Sequence, residues 1–279
     1  MRLLVFGLGY VGLAVVQEAA AAGIAVVGTT RSAGAGIAFA EAASEVAQAT
    51  HVLSTAPPDR SGDPVLACYA DAIRVVPDLR WIGYLSTTGV YGDRDGGWVD
   101  EDTVPAPTSD RGRRRLQAEG EWLRFADRRA VDVFRLAGIY GPRRSAFDDL
   151  RAVTARRVSR PGHAFGRIHR DDIVRAVLAA MRQDRPCGAR VLNLVDDEPA
   201  ESSDVVAEAA RLLGVAAPEA VPFERALALM SPMARSFWAE NRKVSGRRTQ
   251  QDLGLCWLYP NYREGLRAIL AEERGEGPA

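Results

Sequence analysis

The chain has 279 residues, 47% hydrophobic and 26% charged, and its 36 basic and 36 acidic side chains cancel to a net charge of zero. That size and composition describe a globular protein with an ample core, in one large or two modest domains, rather than a disordered or fibrous chain. The balanced charge excludes a global field that would draw the protein to nucleic acid, no run of about 18 apolar residues is present to span a bilayer, and Cys68, Cys187 and Cys256 are too scattered for a disulfide framework or a zinc site.

Arg2 to Phe6 (RLLVF) is a short apolar run fit for a buried parallel strand. Gly7, Gly9 and Gly12 follow at G-x-G-x-x-G spacing, with Tyr10 and Val11 before the third glycine. Val11 to Ala22 reads as a helix ended by Gly23, and Ile24 to Gly28 as a second strand. Strand, glycine turn, helix and strand is the setting that the dinucleotide fingerprint requires. Gly7 would allow the tight turn, Gly9 the close approach of a pyrophosphate, and Gly12 close packing of helix on strand. The N–H groups of the helix start, around Tyr10 and Val11, would face the phosphates. One competing reading is a glycine-rich packing turn with no ligand. Another is a secretory signal, against which stand three glycines in the apolar stretch and Glu18 soon after.

The end of the second strand bears on the choice of cofactor. An acid about 20 residues beyond the glycines would bond the ribose 2′-hydroxyl of NAD. Thr29, Thr30, Arg31 and Ser32 stand there instead, and a guanidinium among hydroxyls suits a 2′-phosphate. NADP(H) is therefore expected over NAD(H); the plainer reading of Arg31 is a solvated loop residue.

Gly36 to Ala40 (GIAFA) follows too closely on the second strand for an ordinary crossover, which needs about a dozen residues. Either the crossover helix is missing or this segment is not a sheet strand; Glu41 to Ala49 reads as a brief helix. Val52 to Ala56 is the next strand, and Ser54, Thr55, Ala56 and Pro57 at its C-terminal end are expected to border the cofactor. A helix over Val65 to Val76 and a strand over Trp81 to Leu85 come next. That strand runs into Ser86-Thr87-Thr88-Gly89-Val90-Tyr91-Gly92. Ser109 or Asp110 can cap a helix from Arg111 to Asp127. Val131 to Leu136 is a strand ending in Ala137-Gly138-Ile139-Tyr140-Gly141-Pro142. Further on, Ile168-His169-Arg170-Asp171-Asp172 leads a helix to Met181, Arg190 to Val195 is a strand, and Ser203 to Leu213 a helix. The alternation predicts a doubly wound parallel α/β sheet. The expected division is a dinucleotide-binding domain at 1–158, with 168–195 returning to it, and a smaller lobe at 159–279.

Five stretches together, GLGYVG at Gly7–Gly12, STTGVYG at Ser86–Gly92, RLAGIYGP at Arg135–Pro142, IHRDDI at Ile168–Ile173 and VLNLVDDEP at Val191–Pro199, resemble the extended and atypical short-chain dehydrogenase/reductases, the NAD(P)-dependent epimerase/dehydratase group. They come in the group's order and cover most of the chain as far as the helix at Ser203. The resemblance implies a Rossmann-type fold with a C-terminal substrate lobe, and a substrate in the cleft between them. It implies pyrophosphate contacts at Gly7, Gly9 and Gly12, a catalytic hydroxyl at Thr87, and a loop from Ala137 beside the nicotinamide. Dehydratases of the group carry an acidic pair after that Thr; Thr88 and Gly89 here count against dehydration.

One departure is large. The group's acid/base Tyr and the Lys four residues on correspond to Arg111 and Arg115. No Tyr-x-x-x-Lys occurs elsewhere, since the only lysine is Lys243 and Ala239 stands four before it. A guanidinium stays protonated and cannot exchange a proton near neutral pH. It can clamp an anion, and Arg111 and Arg115 at i and i+4 share a helix face; the plainer reading is a solvated basic face. Arg115 could still bond the ribose. Tyr91 and Tyr140 end strands and are alternative proton carriers, while His169 and the acids after it suit a brace and helix cap.

The expected function is an atypical NAD(P)-dependent oxidoreductase or epimerase acting on a small substrate, sugar-like or anionic. Thr87 would polarise its oxygen and Arg111 orient an acidic group. The alternative is a non-catalytic NADP(H)-binding redox sensor or partner-binding protein, which the loss of Tyr and Lys fits directly. A third reading, a binder of another nucleotide or a scaffold, keeps only the fold. The expected setting is cytoplasmic, as a monomer or homodimer, with no metal.

Overall fold

A computed structural model describes residues 1–31 and 36–276. Ser32, expected beside a 2′-phosphate, lies outside them. The chain divides into two units. The first comprises Met1–Val90, Asp110–Leu136 and Ile173–Leu194, and the second Tyr91–Ser109, Ala137–Asp172 and Val195–Ala279. The division differs from a boundary at 158: residues 137–172 fall in the second unit, because the strand at Gly138–Tyr140 pairs with Arg167–His169 and not with the large sheet.

The first unit is built on seven strands: β1 Arg2–Phe6, β2 Ala25–Thr30, β3 Ile37–Ala38, β4 His51–Ser54, β5 Trp81–Thr87, β6 Ala130–Leu136 and β7 Gly188–Leu194. All pair in parallel, in the order β7-β6-β5-β4-β1-β2-β3. The chain moves outward from β1 to β3, then returns to β4 on the other side of β1. The reversal places a topological switch at the C-terminal ends of β1 and β4, where doubly wound sheets hold ligands. The helices are α1 Tyr10–Ala21, α2 Ala43–Gln48, α3 Pro64–Val75 and α4 Asp110–Leu123, with residues 173–182 supplying a further helical segment.

The strands are near-continuous apolar runs because both faces are covered. Leu4, Phe6, Val52, Ile82, Tyr84, Val131 and Val133 alternate along their strands and share one core with Val46 of α2, Ile73 of α3 and Trp122 of α4. Asp63 begins α3: one carboxylate oxygen accepts the Val65 and Leu66 amides at 2.9 and 3.1 Å, and the other accepts the Trp122 indole N–H at 2.9 Å. One side chain thus caps a helix and ties it to α4.

The GIAFA segment does join the sheet. Thr29 pairs with Ile37 and Thr30 with Ala38. A parallel connection must carry the chain back along the length of the strand it joins. With β3 only two residues long, that return is about one strand step of roughly 3.3 Å, and a short connection suffices.

The second unit carries three parallel two-stranded pairs among its described residues: Gly138–Tyr140 with Arg167–His169, Arg157–Ser159 with Ala220–Pro222, and Trp98–Val99 with Lys243–Val244. One of its cores packs Tyr140, Phe147, Ala209, Tyr262, Leu266 and Ile269 together. Gly265 is required there: a Cβ would stand 2.1 Å from the Tyr140 hydroxyl.

Candidate functional site

The turn after β1 shows which glycines the protein itself needs. Gly7 has φ +101°, and a Cβ there would meet Thr55 Oγ1 at 2.7 Å. At Gly12 a Cβ would fall 2.0 Å from the Gly7 carbonyl oxygen. Both are demanded by turn and packing. Gly9 is not. Its φ of −77° and ψ of −167° suit any residue, and no described protein atom lies within 4 Å of where its Cβ would be. Gly9 is the N-cap of α1 and no side chain caps that end, so the turn presents backbone alone, the surface an anionic phosphate uses. Tyr10 and Val11 open the helix, with Val11 buried.

The neighbouring strands pin this turn. The Gly7 N–H donates to Thr29 Oγ1 at 3.3 Å and the Leu8 N–H to the Thr29 carbonyl at 3.0 Å. Thr55 donates its hydroxyl toward the Gly7 carbonyl at 2.7 Å, with the Phe6 carbonyl at 3.2 Å. Thr55, expected beside the cofactor, therefore spends its side chain on the turn, and β4 ends at Ser54. Ser54 is fully buried at the switch, opposite Phe6, and its Oγ has no hydrogen-bond partner among the described residues. Ala56 is half-buried and Pro57 exposed. Beyond the other flank, Thr30 is half-buried and Arg31 exposed at the end of β2.

Along β5, Thr87 is half-buried, and its Oγ1 accepts the Gly89 N–H at 3.1 Å. That bond orients the oxygen and leaves the hydroxyl proton available for donation. One residue earlier, Ser86 donates to Glu119 Oε1 at 2.5 Å, and Glu119 is paired with Arg135 at 2.8 Å. All three are buried. This network escaped sequence reading, although two charges in the apolar run of β6 were a signal that each must find a partner. Asp132 of the same strand takes Arg185 at 3.0 Å, Arg190 at 2.9 Å and the Trp81 indole at 2.7 Å.

The two arginines at the Tyr and Lys positions part company. Arg111 is exposed in the first turn of α4. Arg115 is buried, and its Nη1 donates to the Leu85 carbonyl at 2.6 Å and the Tyr84 hydroxyl at 3.2 Å. The group expected on the ribose thus fastens α4 to β5. Arg113 pairs with Asp110 on the exposed side of the helix.

In the second unit, Tyr91 is fully enclosed and offers no exposed hydroxyl for proton transfer. Ala137, half-buried, lies beside Gly166. Tyr140 is buried, and burial raises its phenol above the usual range. His169 stacks edge-on with Tyr140 at 5.1 Å and Tyr259 at 4.2 Å. Burial lowers its pKa to about 4, with Asp171 opposing. Asp172, fully buried, accepts the Leu258 and Tyr259 amides at 2.7 and 3.0 Å, so this stretch is a brace. The same unit holds a cavity of about 710 Å³ lined in part by Trp98, Asp100, Asp196, Asp197 and Arg247. No group of three or more His, Cys, Asp and Glu among the described residues could hold a metal ion, and no helix is long and apolar enough to cross a membrane.

No family model matches the chain. A functionally unknown conserved protein from Silicibacter pomeroyi DSS has a solved structure similar to this one: 41% identical, TM-score 0.84, covering 98% of this chain and 99% of that one. Protein YeeZ of Escherichia coli K12 is 27% identical over 213 residues, 74% of this chain and 70% of its own length. Two more distant structures share the fold. MoeE5 in complex with UDP-glucuronic acid and NAD is 22% identical with TM-score 0.77, covering 99% of this chain and 100% of that one. Human epimerase family protein SDR39U1 with NADPH is 20% identical with TM-score 0.73, covering 96% and 99%.

Proposed function

The chain belongs to the same family as the Silicibacter pomeroyi protein and has the Rossmann-type fold of the extended and atypical short-chain dehydrogenase/reductases, and on that premise we propose that it binds a nicotinamide dinucleotide, NADP(H) before NAD(H), and acts as an atypical epimerase-like oxidoreductase on a small sugar-like substrate. Gly9 carries the reading. The protein has no packing or conformational need for glycine there, so the requirement is best met by a ligand whose phosphates run along the backbone. The fold neighbours point the same way: MoeE5 was solved with NAD and SDR39U1 with NADPH. The preference for NADP(H) rests on Arg31 and Thr30 at the end of β2, where no acid is available for a ribose 2′-hydroxyl.

A bound nicotinamide would supply the hydride chemistry. The residues of the chain would position the reactant: Thr87 donates its hydroxyl proton to the substrate oxygen, and Arg111 orients an acidic group. A reducing compartment such as the cytoplasm suits the exposed thiols of Cys68 and Cys187.

The alternative of a non-catalytic NADP(H) sensor draws on one observation. The position that would hold the proton-tuning lysine is filled by a guanidinium bound into the framework. Calorimetric titration with NADPH and NADH tests the binding, and NADPH oxidation against a panel of sugar aldehydes and ketones tests turnover. Tight NADPH binding with turnover supports the enzyme, tight binding without turnover the sensor. Failure to bind either nucleotide rejects both.

A further inference from the structure

The three histidines of the chain are all buried, and two of them have a bonded nitrogen. His51 Nδ1 meets Thr50 Oγ1 at 2.8 Å, and His169 Nδ1 accepts the Asp171 amide at 3.3 Å. His163 differs. It is 2% exposed, and neither ring nitrogen has a hydrogen-bond partner among the described residues. Its neighbours are rings: Phe165 at 4.7 Å and Trp238 at 5.2 Å between centroids. Trp238 in turn meets Phe165 edge-on at 4.9 Å and Phe223 at 5.3 Å. A neutral imidazole can sit in such a cluster. An imidazolium carries two N–H donors and a charge, which the cluster leaves unsolvated.

The cluster is what closes one segment of the second unit. Phe223 and Trp238 belong to two short helices, Phe223–Leu227 and Pro232–Trp238, and with Ala226 and Met230 they pack on Val158 and Phe165. Few other ties hold this segment. Ala220–Pro222 pairs with Arg157–Ser159, Arg160 Nη1 donates to the Trp238 carbonyl at 2.5 Å, and Asn241 Nδ2 donates to the Gly162 carbonyl at 3.0 Å. Its outer side is open, with Leu229 and Phe237 exposed. A segment with so small a core belongs to the part of a fold that opens first. Charged groups reach His163 from two sides. Arg160 of its own loop opposes a second positive charge, and Asp93 of the loop before Trp98 favours one; the helix of Trp238 faces it with indole and main chain. Asp93 already accepts the Asn241 amide at 2.7 Å, and burial outweighs it, so the imidazole is held below its ordinary pKa.

We propose that His163 is an acid-sensitive latch: neutral, it holds the segment 223–242 against the loop at 160–165, and protonated, it releases that segment. All the residues involved belong to the second unit, and the device is independent of the nucleotide reading.

The sign follows from linkage. The closed form excludes the proton and the open form binds it with the ordinary imidazole pKa of about 6.5, so the open fraction should rise about tenfold from about pH 7.5 to about pH 5.5. Amide hydrogen exchange of the nucleotide-free full chain, read by mass spectrometry and corrected for the intrinsic effect of pH, measures this locally. Protection in peptides from 223–242 should fall about tenfold over that range, since exchange follows the open population. His163→Phe keeps a ring in the cluster and cannot titrate, so its protection there should stay within about twofold; His163→Leu serves if the Phe variant does not fold. Unchanged protection in the wild type overturns the proposal. So does an equal fall in the variant, which would place the titration elsewhere, or a fall shared by peptides of the seven-stranded sheet, which would mean general loss of structure and not release of one segment.

Discussion

Replacing Gly9 and Gly12 in turn separates a glycine kept for the fold from one kept for a ligand. In Gly12→Ala the new methyl would lie 2.0 Å from the Gly7 carbonyl oxygen. That neighbour is backbone, itself pinned by Thr55, so α1 must move off β1. Overpacking of this kind costs about 1–3 kcal/mol or more, and the melting temperature should drop by several degrees. In Gly9→Ala the methyl meets no described protein atom within 4 Å. Ala is a poorer N-cap than Gly, which costs up to about 1 kcal/mol, but the stiffer unfolded chain returns about 0.4–1 kcal/mol. The fold should therefore change by less than about 1 kcal/mol. Binding should not be spared: forcing a methyl between backbone and phosphate costs about 1–3 kcal/mol, or roughly ten- to a hundredfold in NADPH affinity. Thermal melts and calorimetry on the two variants read both quantities. A Gly9→Ala protein that binds NADPH like wild type would refute the phosphate path over this turn. One that melts as early as Gly12→Ala would refute the packing analysis.

Arg31→Ala should weaken NADPH by about ten- to a hundredfold, the worth of a charged hydrogen bond, and leave NADH within about twofold, since it lacks the 2′-phosphate that Arg31 would pair; equal weakening of both would remove the 2′-phosphate argument. Thr87→Ala should cut turnover by about 10²–10³ as one polarising donor is lost, with NADPH affinity unchanged; normal turnover would displace Thr87 from the site. Burial lowers the pKa of His51, as of His169, to about 4 from the ordinary imidazole value of about 6.5. A folded pKa below the unfolded one gives stability that is full above pH 6.5 and is lost as pH falls toward 4, on the order of 3 kcal/mol per histidine. Urea melts at pH 7 and 4.5 should show that loss, and His51→Gln should shrink it; a flat profile would refute the burial argument. Glu119→Gln should cost about 3–5 kcal/mol because it removes the carboxylate that pairs with the buried Arg135 guanidinium, and a variant as stable as wild type would show that the pair is dispensable.

Most of the first unit was legible because its signals are local. An apolar run bounded by glycine makes β1, the Gly23 stop ends α1, and the Asp63-Pro64 pair starts α3. These features act over a few residues and survive any tertiary context. What stayed hidden depends on partners far along the chain. Thr55 reads as a strand-end residue facing a ligand, but the Gly7 carbonyl that claims its hydroxyl is 48 residues away. Arg115 reads as a contact for the ribose or as part of a solvated basic face, because it stands one turn from Arg111 among charged neighbours. Only the pairing of α4 with β5 shows that it is buried on Leu85 and Tyr84. Asp196 is one of three consecutive acids in VLNLVDDEP, and nothing in that string says which is buried.

The two arginines also constrain the chemistry more tightly than the missing tyrosine alone. A lysine at position 115 would have to titrate or reach a ribose, whereas Arg115 closes its bond on a strand carbonyl two residues before Thr87 and holds α4 against that strand. Its role is to keep β5, and so Thr87, in place. Arg111, one turn earlier on the same helix, is exposed and permanently charged. On the proposed enzymatic reading these residues would polarise an oxygen and hold an anion, but there is no phenol at that helix to move a proton. The reaction must then either take the proton from water or the substrate's own hydroxyl, or involve no proton transfer at that step. Solvent isotope effects on turnover separate proton transfer from its absence: a large effect that survives in Arg111→Lys would show that an exchangeable proton, from water or from the substrate's hydroxyl, moves in the limiting step without Arg111, and no effect would favour hydride transfer with the proton already in place.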